Sequence, residues 1–325
     1  MLLTGVIGAG HVGKIHLKLL KSNPRFQLIG FFDTDSVNAR MTSEELEVKT
    51  YESAQQLMDD CQALIIASPT ATHYPYAMEA IQKGKHLFIE KPLAATIEEA
   101  EALARAEMQT GLVIQIGHVE RFNPAFKAAI DYIQNPLFIE SHRLAQFNPR
   151  GTDVSVIHDL MIHDIDIMLS VVKSAVCDIR ASGVAVVCDT PDIANARIEF
   201  ENGCIVNLTA SRISIKNMRK TRFFQPNAYI SVDFLERKTS VIRLHESITD
   251  SDPLALTIDL GEKGKKQLSI HTPEIKDWNA IACEHEEWID AIENQKAVTI
   301  NARAGLQAVR MAHRIAETIK PVLSL

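Results

Sequence analysis

Short apolar runs alternate with stretches of helical period over residues 1–117. Leu3–Ile7, Phe26–Phe32, Ala63–Ala67, His86–Ile89 and Leu112–Ile116 predict strands, with a weaker one over Glu47–Tyr51. Ala63–Ala67 is almost continuously apolar, the pattern of a strand covered on both faces. Between them, Val12–Lys21 (with Ile15, Leu19 and Leu20), Pro75–Lys83 and Ile97–Thr110 have helical spacing. Strands alternating with helices in this way predict an α/β Rossmann domain, a doubly wound parallel sheet. After Gly117 the texture changes. His142–Phe147, Asp178–Val187, Ala194–Phe200, Cys204–Ala210, Tyr229–Phe234, Ser240–Leu244, Leu256–Leu260 and Gln267–Ile270 read as strands. Val156–Val172, Trp278–Glu293 and Ala302–Ile319 read as helices. Glu201-Asn202-Gly203 is a hairpin turn, because Asn-Gly supplies the positive-φ residues such turns need. This half is expected to be an α+β domain with a mostly antiparallel, open sheet. The division falls into 1–119 and 120–325, with the linker near Gly117–Pro124.

A chain of 325 residues is long enough for two domains at about 150 residues each. With 46% hydrophobic and 23% charged residues, it is too apolar to be disordered. A net charge of −7 argues against a general nucleic-acid binder, which carries a broad basic face. No apolar run approaches about 18 residues, so no membrane span is expected. Met1–Gly8 lacks the basic head and cleavage site of a signal peptide. The five cysteines, Cys61, Cys177, Cys188, Cys204 and Cys283, are scattered and form no CxxC pair. Neither a zinc site nor a disulfide framework is expected, and a reduced, cytoplasmic protein is the natural reading.

Gly8-Ala9-Gly10-His11-Val12-Gly13 follows the first strand and opens a helix, and Asp33 ends the next strand. That context turns a weak GxGxxG into a dinucleotide fingerprint. Gly8 permits the tight turn, Gly10 lets backbone approach a pyrophosphate, and Gly13 allows close helix–sheet packing. His11 and Val12 begin the helix whose free N–H groups face the phosphates. Asp33 would accept the adenosine ribose hydroxyls. A 2′-phosphate would meet Asp33 and Asp35, so NAD is expected rather than NADP. Ser68, Pro69, Thr70 and His73 follow the Ala63–Ala67 strand, and Glu90-Lys91-Pro92 follows the next, where open parallel sheets bind ligands. Lys91 is either a functional cation or an ordinary solvated lysine, and the Lys91–Pro92 peptide is a candidate for the cis form.

In the helix predicted at Val156–Val172, Asp159, His163, Asp166 and Ser170 fall within an arc of about 60° at roughly 100° per residue. Apolar residues cover most of the remainder. An Asp four residues before a His can hold its tautomer and stabilise the imidazolium, which suits a general base near neutral pH. The alternatives are a water-facing stripe, a self-satisfied polar seam, or a metal site, the last without further ligands at matching spacing.

GAGHVG, Glu90-Lys91-Pro92 and Asp159-x-x-x-His163-x-x-Asp166, in this order, resemble the Gfo/Idh/MocA oxidoreductases over essentially the whole chain. The resemblance implies that Lys91 and His163 are the catalytic pair, with Asp159 orienting the imidazole. It also implies that the C-terminal open sheet makes homodimer or homotetramer contacts. Where many members have a glycine-rich turn before the Asp, this chain has Thr152-Asp153-Val154-Ser155-Val156-Ile157. Gly117-His118-Val119-Glu120-Arg121-Phe122-Asn123-Pro124-Ala125 looks like the branch acting on nucleotide-linked amino sugars such as UDP-N-acetylglucosamine, with Arg121, Asn123 and Asp166 as substrate contacts. Arg212-Ile213-Ser214-Ile215-Lys216-Asn217-Met218-Arg219-Lys220-Thr221-Arg222 has five basic residues and no acidic one. Arg212, Lys216 and Arg219 there suit a diphosphate, or else form a basic loop or a subunit contact. The implied reaction is NAD-dependent oxidation of a sugar secondary hydroxyl. The other readings are a dehydrogenase of a free sugar, inositol or dihydrodiol, and a non-catalytic dinucleotide sensor.

Overall fold

In the computed structural model, the five strong apolar runs near the N-terminus become parallel strands: β1 (Leu2–Ile7), β2 (Phe26–Phe32), β3 (Ala63–Ile66), β4 (His86–Glu90) and β5 (Ile114–Gly117). Residues 1–148, 154–245, 256–259, 261 and 264–319 are described by the structure. They fall into two units, Met1–Val119 with Asn279–Arg310, and Glu120–Trp278 with Met311–Leu325.

The first sheet has the order β2-β1-β3-β4-β5. The chain runs outward from β1 to β2 and then crosses back to β3, so the carboxyl ends of β1 and β3 flank the switch point where doubly wound folds bind ligands. The intervening helices are α1 (His11–Ser22), α2 (Ser36–Leu46), α3 (Ala54–Asp60), α4 (His73–Gln82) and α5 (Ile97–Thr110). Local capping marks their starts. Asp35 accepts the N–H groups of Val37 and Asn38, and Thr96 with Glu99 forms a capping box. The weak strand expected at Glu47–Tyr51 is not formed. Only Thr50 bridges to Phe31. Of that polar run only Val48 is buried in the core, too little apolar surface to hold a sixth strand.

The chain re-enters this unit at Asn279, where a linear division at residue 119 assigns it to the second. Trp288 of α8 (Ala280–Asn294) is fully buried, stacked on Phe26 and edge-on to Phe88. Arg25 pairs with Glu286, Asp290 and Glu293 of the same helix. Beyond it, the Ile116 N–H donates to the Ile300 carbonyl. Packing of one aromatic face, rather than chain order, decides membership.

The second unit carries a nine-stranded sheet among the described residues. Its strands are β6 (Phe138–Leu144), β7 (Val176–Val184), β8 (Ile193–Phe200), β9 (Ile205–Ser211), β10 (Met218–Gln225), β11 (Ala228–Asp233), β12 (Lys238–His245), β13 (Leu256–Asp259) and β14 (Lys265–His271). The order is β13-β14-β12-β11-β10-β6-β9-β8-β7, antiparallel except for β6 beside β9. Leu260, the expected end of β13, lies outside the described residues. β10 was not expected, because its basic residues mask the alternation that buries Thr221 and Phe223. α6 (Pro124–Ala129) packs on β11 and β12. A π-type turn, Ile157–Met161, runs into α7 (Ile162–Val171), which packs on β6 and β9. The other face is open, with Phe138, Phe224 and Tyr229 clustered on it. The last described helix is α9 (Ala302–Thr318). Among the described residues, no helix is long and apolar enough to cross a membrane.

Candidate functional site

At the switch point, Gly8 has φ +92°, and a Cβ there would lie 2.7 Å from the Ala67 carbonyl. A Cβ on Gly13 would meet the Gly8 oxygen at 2.0 Å. These two glycines are demanded by packing. Gly10 differs, since a Cβ there would meet nothing within 4 Å. It is the N-cap of α1 and provides no side-chain cap, so the first N–H groups of the helix are available to an anion. Gly10, His11 and Val12 line a cavity of about 500 Å³ with Asp33, Ser68 and Pro69. Asp33 accepts the Ala9 N–H at 2.7 Å and the Asp35 N–H at 2.9 Å, which fixes a carboxylate beside the fingerprint. The open space over Gly10, uncapped helix start and carboxylate fit a dinucleotide: pyrophosphate at the glycines, ribose at Asp33.

Sequence reading missed part of this cavity. Thr34, Asn38, Thr72 and Tyr76 also line it, and the Asn38 amide donates to Ala9 O and Asp33 Oδ2. Asn38 lies on α2 five residues after Asp33, a spacing that could have flagged it. Thr70 forms the short turn before α4 and, like His73, does not line the cavity. His73 is buried and bridges two loops, with Nδ1 2.9 Å from Pro92 O and Nε2 2.8 Å from Ser68 O. Burial lowers its pKa, although both carbonyls pull the other way. It ties the loop after β3 to the turn after β4.

That turn is Glu90-Lys91-Pro92, and the Lys91–Pro92 peptide is cis. The Glu90 carboxylate accepts the Lys91 backbone N–H at 3.2 Å and lies 2.8 Å from His16 Nε2. Burial pushes the Glu90 pKa up, but the His16 hydrogen bond and the charges of His16 and Lys91 outweigh it and hold the carboxyl below its usual range. Lys91 itself is half-buried.

In the second unit, Asp159 sits in the π-type turn and His163 at the start of α7, both half-buried. A π turn changes the step per residue, so an arc worked at 100° applies only from Ile162 onward. Asp166 is 1% exposed and takes a bidentate pair from Arg121, Nε to Oδ2 at 2.7 Å and Nη2 to Oδ1 at 2.8 Å. The Ser170 hydroxyl donates to Ile167 O. Along the stripe, Asp166 is buried and paired, whereas Asp159 and His163 are half-buried. Asn123 caps α6 through Ala125 N–H and donates to Glu120 Oε2 and Phe234 O.

The basic run is split as well. Arg212 is buried, 3.7 Å from Asp192 and hydrogen-bonded to Val154 O. Lys216 is exposed, and Arg219 is half exposed with Glu120 at 3.8 Å. Thr152 and Asp153 of the expected departure lie outside the described residues. A buried charge cluster missed in the sequence underlies α7. Arg143 Nε reaches Asp164 Oδ2 at 2.7 Å, Nη1 reaches Glu120 Oε1 at 2.8 Å, and Ser141 donates to Asp164 at 2.8 Å. Among the described residues, no three or more His, Cys, Asp or Glu side chains are grouped to hold a metal ion.

Residues 2–118 match an oxidoreductase family described as an NAD-binding Rossmann fold, and residues 131–227 match the Gfo/Idh/MocA C-terminal domain. The chain is 34% identical over 327 residues to UDP-N-acetylglucosamine 3-dehydrogenase of Acidithiobacillus ferrooxidans, covering 98% of each. A solved structure of that enzyme superposes with a TM-score of 0.87 at 32% identity, over 98% of this chain and 97% of the other. Scyllo-inositol dehydrogenase from Lactobacillus casei, solved with NAD(H) and scyllo-inositol, shares the fold at 21% identity. Its TM-score is 0.77, over 98% of this chain and 97% of that one.

Proposed function

Because the chain belongs to the Gfo/Idh/MocA oxidoreductase family, we propose that it oxidises a secondary hydroxyl of a nucleotide-linked amino sugar with NAD, UDP-N-acetylglucosamine at C3 before others. The observation that carries the substrate is similarity along the full length to an enzyme of that name. Bound NAD supplies the acceptor for the carbinol hydrogen and its electron pair. Gly8, Gly10, Gly13 and Asp33 hold it, with Ser68 and Pro69 on the cavity wall. His163, oriented by Asp159, takes the proton from the substrate hydroxyl oxygen. The Lys91 ammonium stabilises the negative charge that develops on that oxygen. The Arg121–Asp166 pair shapes the substrate side of α7, and the exposed Lys216 and Arg219 attract the diphosphate. A diphosphate substrate favours this reading over a free sugar, because an uncharged polyol has no use for those cations.

The protein is further proposed to act in the cytoplasm, where its five free cysteines stay reduced, as a homodimer or homotetramer. Phe138, Phe224 and Tyr229 on the open face of the sheet support the assembly.

The test offers purified protein NAD with UDP-sugars, free sugars and inositols. UDP-N-acetylglucosamine should yield reduced-nicotinamide absorbance, and Lys91→Ala or His163→Ala should abolish turnover while NAD affinity stays within about threefold. Turnover of polyols alone would sink the substrate assignment. Silence across the panel would sink the enzyme reading and leave a dinucleotide sensor. Near-normal rates in both variants would remove the catalytic pair.

A further inference from the structure

Behind the Lys91 turn, the first unit holds a row of three titratable side chains, with Glu90 partly exposed at its end. His16 of α1 and His285 of α8 are both 0% exposed. His16 Nε2 lies 2.8 Å from Glu90 Oε1, and His16 Nδ1 lies 2.8 Å from His285 Nε2. The two rings are 5.0 Å apart and both sit edge-on to Phe88. Gly117 of β5 closes the other side, where a Cβ would come within 3.0 Å of the Glu90 carboxylate. The titratable and charged groups facing Glu90 are therefore His16 from α1, Lys91 in its own turn and, from α4, His73.

Polar groups in an aromatic core are destabilising unless each is paired, and apolar residues of similar volume would fill this space without that penalty. The hydrogen-bond order follows from the ends of the row. The Glu90 carboxylate only accepts, so His16 must donate from Nε2; a neutral His16 then accepts at Nδ1 from His285 Nε2–H, and a charged one donates from Nδ1 to His285 Nε2. Burial drives the His285 pKa well below its usual value, with the charge of His16 adding to the effect, so that ring is neutral. Its Nδ1 has no hydrogen-bond partner among the described residues.

We propose that His16, its ring locked by His285, is a positioning residue for Lys91: it holds the Glu90 carboxylate against the Lys91 backbone N–H and thereby fixes the turn that presents the ammonium. This rests on Lys91 being catalytic. His16 touches no reacting atom and acts through Glu90.

Four variants test it: His16→Phe, His16→Gln, Glu90→Gln, and the double variant His16→Phe/Glu90→Gln, with Lys91→Ala as the control. His16→Phe should lower kcat about tenfold to a hundredfold, since small misplacements of a reacting group have effects of that order, while NAD affinity stays within about threefold. Without His16, burial acts on Glu90 with less opposition, so its pKa rises and kcat acquires a second acidic fall beside that of the His163 base. Glutamine can place its amide near the imidazole Nε2, so His16→Gln should recover most of kcat and remove the added acidic fall. The double variant should be no slower than Glu90→Gln alone, because both act through one carboxylate.

If His16→Phe does not fold, His16→Gln and Glu90→Gln carry the kinetics. Ring 15N shifts of the parent protein carry an activity-free reading, with His16 protonated at Nε2. Parent-like kcat and pH profile in His16→Phe, beside an inactive Lys91→Ala, would overturn the proposal and leave the catalytic reading standing. So would a His16 ring without a proton on Nε2, or a stability loss with an unchanged pH profile. An active Lys91→Ala would overturn the premise itself.

Discussion

Replacing Arg143 by Met should destabilise the second unit by about 3–5 kcal/mol, the range seen when one partner of a buried ion pair is removed. Methionine keeps most of the aliphatic stem, so the lost term is electrostatic. Arg143 is 3% exposed and serves two carboxylates, Asp164 at 2.7 Å and Glu120 at 2.8 Å, whose side chains are 4% and 7% exposed. After the substitution Ser141 still donates to Asp164 and Asn123 to Glu120, but two negative charges remain in a site with little water. At roughly 2–4 °C per kcal/mol for a unit of this size, the midpoint should fall by about 6–20 °C. The unit has its own reporter, because Trp278 belongs to it, with its indole N–H on Phe122 O, whereas Trp288 belongs to the other. Urea titration of Trp278 fluorescence in a Trp288→Phe background therefore reads this unit. Adding Asp164→Asn to Arg143→Met should restore part of the loss by removing one stranded charge. A loss below about 1 kcal/mol for Arg143→Met, the size of an exposed pair, would refute the buried-charge account.

Other substitutions separate the roles of the glycines. Gly13→Ala should abolish NAD binding and lower the thermal midpoint, because its Cβ would lie 2.0 Å from the Gly8 oxygen. Gly10→Ala should melt like the parent yet bind NAD at least about tenfold more weakly; unchanged affinity by calorimetry would mean the pyrophosphate does not pass over Gly10. Burial raises the Glu107 pKa to about 7 against backbone hydrogen bonds from Ala302 and Ile114. A carboxyl raised on folding stabilises fully below its unfolded value, near 4.5, and loses that contribution as pH rises through about 7. Glu107→Gln should therefore reduce the fall in stability between pH 5 and pH 8, and an unaltered pH profile would contradict the assignment. Arg212→Ala should lower the unfolding midpoint, since Arg212 is buried against Asp192; loss of substrate affinity without loss of stability would return Arg212 to the diphosphate.

What the chain states locally was legible without coordinates. GAGHVG follows one strand and opens a helix, and Asp33 ends the next strand, so a strand–turn–helix reading found both. Alternation exposed most strands of the second sheet, because a sheet with one covered face writes a period of two into the sequence. Tertiary structure decided everything that depended on a distant partner. Whether Glu47–Tyr51 became a strand turned on the edge offered by β2, and Thr50 alone took it. Helix α8 could have covered either sheet on its amphipathic pattern, and the fit of Trp288 against Phe26 and Phe88 chose the first. Arg121 with Asp166, Arg143 with Glu120 and Asp164, and His16 with Glu90 and His285 join residues between 21 and 269 positions apart. Each of those side chains, read alone, looks like a candidate for solvent or substrate. Pairing across the fold is what takes a buried charge out of that pool, and a linear pattern carries no record of which distant group will arrive.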